Sequence, residues 1–396
     1  MGLHVASAVS EHPIPAHAVG ACLGEVLEAG GPGPVAVVVA VTEALVGAVE
    51  DVVGATRQLL GPEALLAVTV SGVLGGAREV DGRGAVMMFA VWDPAGHGPP
   101  VRPVRLTGTA TPEGSGPGGP HVDGLDGLRG AEGTLVLFSD PFSVAGAELL
   151  EDLQLVAPAL RVVGGELSAA RNAGGNRLVL DAATWSDGAV GLLFGPDAAP
   201  PPLLSRAARG LGAPMTVTEG APSAGGDDVT VVTGLAGRPA RTRLDEVLEG
   251  LSPEDRTLAA AGLYLGDAPA EGDHGAEPAE QRALLGVDAD TGGLAFAGAV
   301  EVGAAVRFEV RDPAAVEPEL LAQVAGGTAA GASGAFAVLS AARGARFHGH
   351  SDGDAAAVAE AMDPRPVAGV VVGAEFTPLG GRNRRLTSSL VVQPIG

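Results

Sequence analysis

The stretch "PVAVVVAV" (34–41), followed by "ALVGAVEDVVGATRQLL" (44–60) and "LLAVTVSGV" (65–73), sets the pattern of the chain. An unbroken apolar run reads as a strand buried on both faces, and the next segment places Leu45, Val49, Val52, Val53 and Leu59 on one helical stripe. A second apolar run, the glycines Gly75 and Gly76, and the strand "AVMMFAVW" complete the unit. The pattern recurs twice. "TLVLFSD" (134–140) starts a second copy, with Asp140 and a proline read as the cap of the helix "VAGAELLEDLQLV", then "LRVVGGELSAARNAGGN" and the strands "RLVLDA" and "GAVGLLF". "AFAVLSA" (335–341) starts a third, continuing through "DAAAVAEAM", "PVAGVVVGAEF", Gly380-Gly381 and "SSLVVQPI". Strand, helix, strand, glycine loop, strand, at roughly sixty residues each, is the signature of internal repetition.

The residues between the second and third copies follow another plan. "DVTVVTGLAGRPARTRLDEVLEGL" (228–251) reads as strand, turn and helix, and Ser252-Pro253 as a helix start with the serine as cap. "GVDADTGGLAFAG" and "AVRFEVRD" read as a strand pair. The low-complexity stretches 108–127 and 267–281 read as exposed loops, and the proline run at 195–204 as a seam. The fold class is α+β: two domains, 1–198 and 199–396, of mixed β-sheets with flanking helices.

Composition removes many functions. The 396 residues carry 47 acids against 24 bases, a formal charge of -23 that repels phosphate backbones and anionic lipid surfaces. Every base is Arg, so lysine Schiff-base chemistry and a Walker phosphate loop are unavailable. The single cysteine, Cys22, lies in the amphipathic "GACLGEVLEA" and reads as a buried structural thiol; it permits no internal disulfide and no multi-cysteine zinc site. Neither a signal peptide nor a spanning apolar run is visible, so a soluble cytoplasmic protein is expected, without nucleic acid, membrane, metal or cofactor.

No dinucleotide fingerprint, zincin motif or nucleophile elbow occurs. His348 and His350, with Asp352 and Asp354 in "RFHGHSDGD", read as an exposed polar loop, and Ser139 and Ser168 as cap and loop hydroxyls. No catalytic residue is assigned. The remaining chemistry lies in "VVVGAEFTPLGGRNRRLTSSL" (370–390), where Glu375 follows an apolar strand and Gly380, Gly381, Arg382 and Asn383 form a turn. A carboxylate beside a buried strand requires donors, and Arg382 is the nearest mate. Two readings stay open: a structural Glu375–Arg382 clasp, or a pocket in which these residues and Arg343 hold a ligand. An acceptor with a planar guanidinium fork suits a zwitterion such as an amino acid.

Several segments, in order, resemble the FIST sensory-domain family: "LLGPEALLAVTVSGVLGGAREVDG", "DPFS" with "VVGGELSAARNAGGN", "GRPA", "GVDADTGGLAFAG", "VRFEVRDP" and "VAGVVVGAEFTPLGGRN". The resemblance implies a cytoplasmic signal-input module recognising small ligands such as amino acids, with haem in some relatives and a signalling protein as partner. Glu375 matches the family's Gly-Glu acid, with Ala374 in place of Gly; Gly380 to Asn383 match the following turn, and Arg343-Gly344 an Arg-Gly pair. Ala341 and Val68 stand where relatives carry cysteines, and a His-Gly after the asparagine is missing, so no thiol, histidine or haem function carries over. The expected function is non-catalytic ligand sensing; the alternative is a scaffold that binds a protein and no small ligand.

Overall fold

The computed structural model describes residues 2–96, 101–108, 122–223, 226–268 and 281–396. The chain forms two compact units, one from Met1–Ser205 with Glu319–Gly396 and the other from Arg206–Pro318. This spatial partition differs from a division into sequence halves, because the last segment of the chain completes the first unit.

In the first unit, β1 (His4–Ser10) and α1 (Pro15–Gly30) precede the first repeat. That repeat runs β2 (Ala36–Thr42), α2 (Val49–Leu60), β3 (Ala64–Val70), the hairpin β4 (Gly72–Gly75) and β5 (Arg78–Asp81), then β6 (Val86–Trp92). After β7 (Arg102–Gly108) and β8 (Val122–Asp123) comes the second: β9 (Gly133–Ser139), α3 (Gly146–Val156), β10 (Leu160–Glu166), the hairpin β11 (Leu178–Leu180) and β12 (Ala183–Trp185), and β13 (Ala189–Phe194). β14 (Leu203–Ser205) ends this passage.

The second unit holds β15 (Ala208–Ser223), β16 (Gly226–Leu235), β17 (Arg238–Pro239), α4 (Ala240–Glu249), α5 (Pro253–Ala261), β18 (Tyr264–Asp267), β19 (Gln281–Val287), β20 (Leu294–Ala297) and β21 (Ala305–Arg311). Its sheet runs β15-β21-β18-β19-β20-β16, and β16 pairs back onto β15, closing a six-stranded antiparallel barrel. Phe296, Phe308, Val232 and Leu265 fill the core, against which α4 packs Leu244. The expected Ser252 cap is present, its hydroxyl accepting from the Asp255 amide. The segments read as a strand pair are instead barrel strands that do not pair with each other: β20 lies between β19 and β16, and β21 between β15 and β18.

The chain returns through α6 (Val316–Ala325) to the third repeat: β22 (Gly334–Ser340), α7 (Ala345–His348), α8 (Gly353–Met362), β23 (Val367–Val372), the hairpin β24 (Ala374–Leu379) and β25 (Arg382–Leu386), and β26 (Leu390–Ile395). In every repeat the two strands flanking the helix are parallel, and the last strand pairs antiparallel with the first. Each hairpin, however, leaves its own sheet. β4–β5 extends the third repeat's sheet, β24–β25 the second's, and β11–β12 the first's, a closed three-way exchange.

One face of each sheet meets the other two in a shared core, where Phe336 contacts Phe89 and Phe138 edge-on at 5.5 and 6.3 Å. The opposite faces are covered by helices, α1 and α2 on the first sheet and α3 on the second. Burial on both faces explains the uninterrupted apolar runs. The helix stripe is corrected at one residue: Leu59 is 56% exposed and Leu60 is buried. The expected Asp140 cap is also absent, because α3 starts at Gly146 while Asp140 closes a separate turn through Ser143 and Val144. Most of the two low-complexity stretches lies outside the described residues, but Val122 and Leu125 at the end of the first are buried.

Candidate functional site

The parallel pairs end at Thr42, Ser139 and Ser340, and outgoing loops gather beyond the carboxyl ends of parallel strands, where ligands bind in open α/β sheets. Here those ends converge. The Ser168 hydroxyl donates to the Val371 carbonyl at 2.6 Å, accepts from the Ser71 amide at 3.0 Å and lies 2.9 Å from the Ser71 hydroxyl. The Gly373 amide donates to the Glu166 carbonyl at 2.8 Å. β3, β10 and β23 are thereby tied together where each hairpin departs.

Arg343 follows β22 through a turn in which its amide donates to the Ser340 carbonyl. Its guanidinium is fully buried: Nε and Nη2 donate to Asp354 at 2.9 and 2.6 Å, Nη1 donates to the Ser388 carbonyl at 3.2 Å, and the group stacks 4.6 Å from the Phe347 ring. His348 Nε2 lies 2.9 Å from Asp354 Oδ1. Burial alone would raise the Asp354 pKa, but hydrogen bonds from His348 and Arg343 and the Arg343 charge overcome it and hold it at about 2. The "HGHSDGD" stretch is therefore more than an exposed loop: His350 is exposed, while Asp354 is buried at the start of α8.

Glu375 enters from β24, opposite Gly165 of β10, and is completely buried. Oε2 accepts from the Ser389 amide at 3.1 Å and the Ser389 hydroxyl at 2.5 Å; Oε1 has no well-aligned partner among the described residues. Burial pushes its pKa up to about 7, opposed by Ser389, the Ser340 hydroxyl and the Arg343 charge. Ser340 Oγ accepts from the Ala342 and Ser388 amides, which leaves its own proton to donate. A cavity of about 40 Å³ lies beside this cluster, lined by Ser71, Ser340, Arg343 and Val371, with Glu79 and Asp81 of β5 supplying carboxylates. Exposed Asp81 and Ala341 mark its mouth. Glu79 accepts from the Ala355 amide at 2.9 Å, and burial, reinforced by the Asp354 charge, raises its pKa.

Arg343 and Glu375 thus share one cluster, but the rest of the predicted set lies elsewhere. Glu375 pairs with Leu386 across the hairpin, whereas Arg382 pairs with Leu379 beyond the Gly380-Gly381 turn. Four residues separate the two pairs, about 13 Å along a strand. Both glycines have left-handed backbones, as a two-residue hairpin turn requires. Arg382 is exposed, so no Glu375–Arg382 clasp forms; Ser389 takes that role. Asn383 seals the hairpin to the strand beside it, accepting from the Val162 amide and donating to the Leu160 carbonyl. The arginine that meets a carboxylate here is Arg385, bidentate to Glu166 at 2.7 Å on both arms.

The reading of the sequence also passed over Ser71, Glu79, Ser340 and Ser389, and gave Ser168 and Asp354 no role. Nothing in their local pattern distinguishes them, because they acquire partners only through the hairpin exchange. Cys22 is buried, donates to the Val86 carbonyl, and is pushed up to about 12, chiefly by burial. Among the described residues no group of three or more His, Cys, Asp or Glu is placed to hold a metal. A haem does not fit this site: His348 is engaged by Asp354, and the adjoining cavity is far smaller than a macrocycle. No helix among the described residues is long and apolar enough to cross a membrane.

Comparison with known proteins matches the FIST N domain over residues 35–237 and the FIST C domain over 243–378. The chain belongs to the FIST family. FIST domains are sensory, ligand-binding modules. An uncharacterized protein of Mycobacterium bovis is 32% identical over 340 residues, spanning 84% of this chain and 83% of its own. An uncharacterized protein of Mycobacterium tuberculosis is also 32% identical over 340 residues, covering 84% of each chain. In this FIST chain the N-domain match takes in the first two repeats and part of the barrel, and the C-domain match runs from α4 to within β24.

Proposed function

We propose that this FIST chain is a non-catalytic small-ligand sensor whose guest is an amino acid or a similar zwitterion, bound at the cluster around Arg343 and Glu375. The observation that carries the reading is a completely buried glutamate with one unpartnered oxygen, adjoining a polar cavity through Ser340. A buried carboxyl group with only one oxygen satisfied carries a desolvation cost, and such groups cluster at functional sites. The cavity admits a head group of a few atoms: an ammonium faces Glu79 and Asp81, while the Arg343 N–H groups not taken by Asp354 or Ser388 offer donors to an anionic end. Gly380, Gly381, Arg382 and Asn383 act in this reading as the hairpin tip that holds Glu375 in register. The chain works in the cytoplasm and passes its occupancy to a separate signalling protein.

Thermal denaturation of the full chain against the free amino acids and small amines tests this. A guest at 100 times its Kd adds about 2.7 kcal/mol to stability. Glu79→Gln and Ser340→Ala should each weaken it at least tenfold. If no compound moves the melting temperature, the scaffold reading takes over. That alternative draws on the engagement of all three Arg343 nitrogens by Asp354 and Ser388 and on the stacking of the group over Phe347.

A further inference from the structure

A larger groove of about 600 Å³ lies elsewhere on the same unit, on the other face of β5. Side chains alternate along a strand, so Arg78 and Val80 border the groove while Glu79 and Asp81 border the small cavity. Its volume falls within the 300–1,000 Å³ typical of sites that engulf a whole small molecule.

The groove runs along a strand edge. Four consecutive residues of β1, Ser7 to Ser10, line it, whereas a strand presented face-on would contribute alternate residues. β1 is the terminal strand of its sheet and, among the described residues, pairs only with β6. Its outer backbone N–H and C=O groups are a template for another extended chain. The opposite wall is the turn Asp363 to Pro366 before β23, and the floor is kept low at Gly75, where a Cβ would stand 2.4 Å from Val9 Cγ2.

Charges of both signs border the groove. Glu11 is already clamped by Arg78 at 2.7 Å and Arg83 at 2.6 Å. The carboxylates of Glu25 and Asp363 have no ion pair or hydrogen bond among the described residues, and only Nε of Arg365 is engaged, with the Ala332 carbonyl. We propose that the groove is a second binding site, distinct from the Arg343–Glu375 cluster, which takes a short unmodified peptide added as an extended strand along β1. Its terminal ammonium meets the unpaired carboxylates, and its terminal carboxylate meets the free Arg365 nitrogens.

The test equilibrates the full chain with a mixed library of unmodified tripeptides, identifies retained species by mass spectrometry, and titrates the best-retained one by calorimetry. Expected are retention of tripeptides, a loss of affinity of at least tenfold on N-acetylation or C-amidation, and the same loss in Glu25→Gln/Asp363→Asn. Ala359→Phe fills the groove from α8 without removing a hydrogen bond; it should abolish binding while leaving the melting temperature near that of the parent. Glu79→Gln, in the other cavity, should bind as the parent does. Failure to retain any tripeptide, binding that survives Ala359→Phe, or binding lost in Glu79→Gln but kept in the groove variants would each overturn the proposal.

Discussion

At the scale of single residues the decisive group is Glu375, whose pKa, raised from 4.5 to about 7, is a statement about stability. Between these values the folded chain holds a proton that the unfolded chain has released, so stability falls as pH rises through the window. The difference in unfolding free energy between the parent and Glu375→Gln should therefore change by about 3 kcal/mol from pH 4.5 to pH 7, with the parent losing ground. Denaturant titrations of both at several pH values check this; parallel curves would mean that Glu375 is ionised in the fold. Asp354 runs the opposite way. Its depressed pKa contributes stability that is full above about 4 and lost as pH falls through about 2. Asp354→Ala strands the Arg343 charge in the interior and should cost about 3–5 kcal/mol at neutral pH, read as a lower denaturation midpoint. Arg343 and Glu375 were legible in the sequence because a charge directly after a buried apolar strand needs a partner. The identity of that partner was not, because Arg382 is close along the chain but lies at the far end of a hairpin, and Ser389 arrives from the turn between β25 and β26.

At the scale of elements, the same chain stretch serves two sheets, and this is where sequence pattern alone falls short. The apolar runs over β3–β4 and β23–β24 each read as one strand, because both halves are buried and no polar residue pattern marks Ser71 or Gly373 as the crossing point. The repeated order of elements was visible; the exchange of hairpins was not, since it depends on pairings more than a hundred residues apart. In the second repeat even the turn differs, with Gly174-Gly175 preceding the hairpin and Asp181, in a left-handed conformation, turning it. Insertion of β24 beside β10 depends on Gly165, where a Cβ would stand 2.2 Å from the Ala374 carbonyl oxygen. Backbone cannot yield there as a flexible side chain would. Gly165→Ala is expected to destabilise by about 3 kcal/mol and to speed amide hydrogen exchange through β24 and β25 before the rest of the unit. Uniform exchange across all three sheets would show that the hairpin is not the weak point.

At the scale of the molecule, the cyclic exchange makes the three repeats interdependent, because no sheet is complete until another repeat has donated its hairpin. The first unit should consequently melt as a single cooperative body, despite being encoded in two separated stretches. The barrel, by contrast, has its own closed sheet and core and enters the chain between points that already meet: Ser205 donates to Glu319 at 2.6 Å, and Gln323 bonds both the amide and the carbonyl of Leu204. Replacing Arg206–Pro318 by a short Gly-Ser linker leaves every strand pairing of the first unit intact and shortens the loop that must be closed, which lowers its entropic cost. The shortened chain is expected to fold, to unfold with coincident near- and far-ultraviolet transitions, and to retain the pH behaviour of Glu375. Two separated transitions would show that one repeat can come apart without the others, and with it the exchanged hairpins would lose their role as the bond between them.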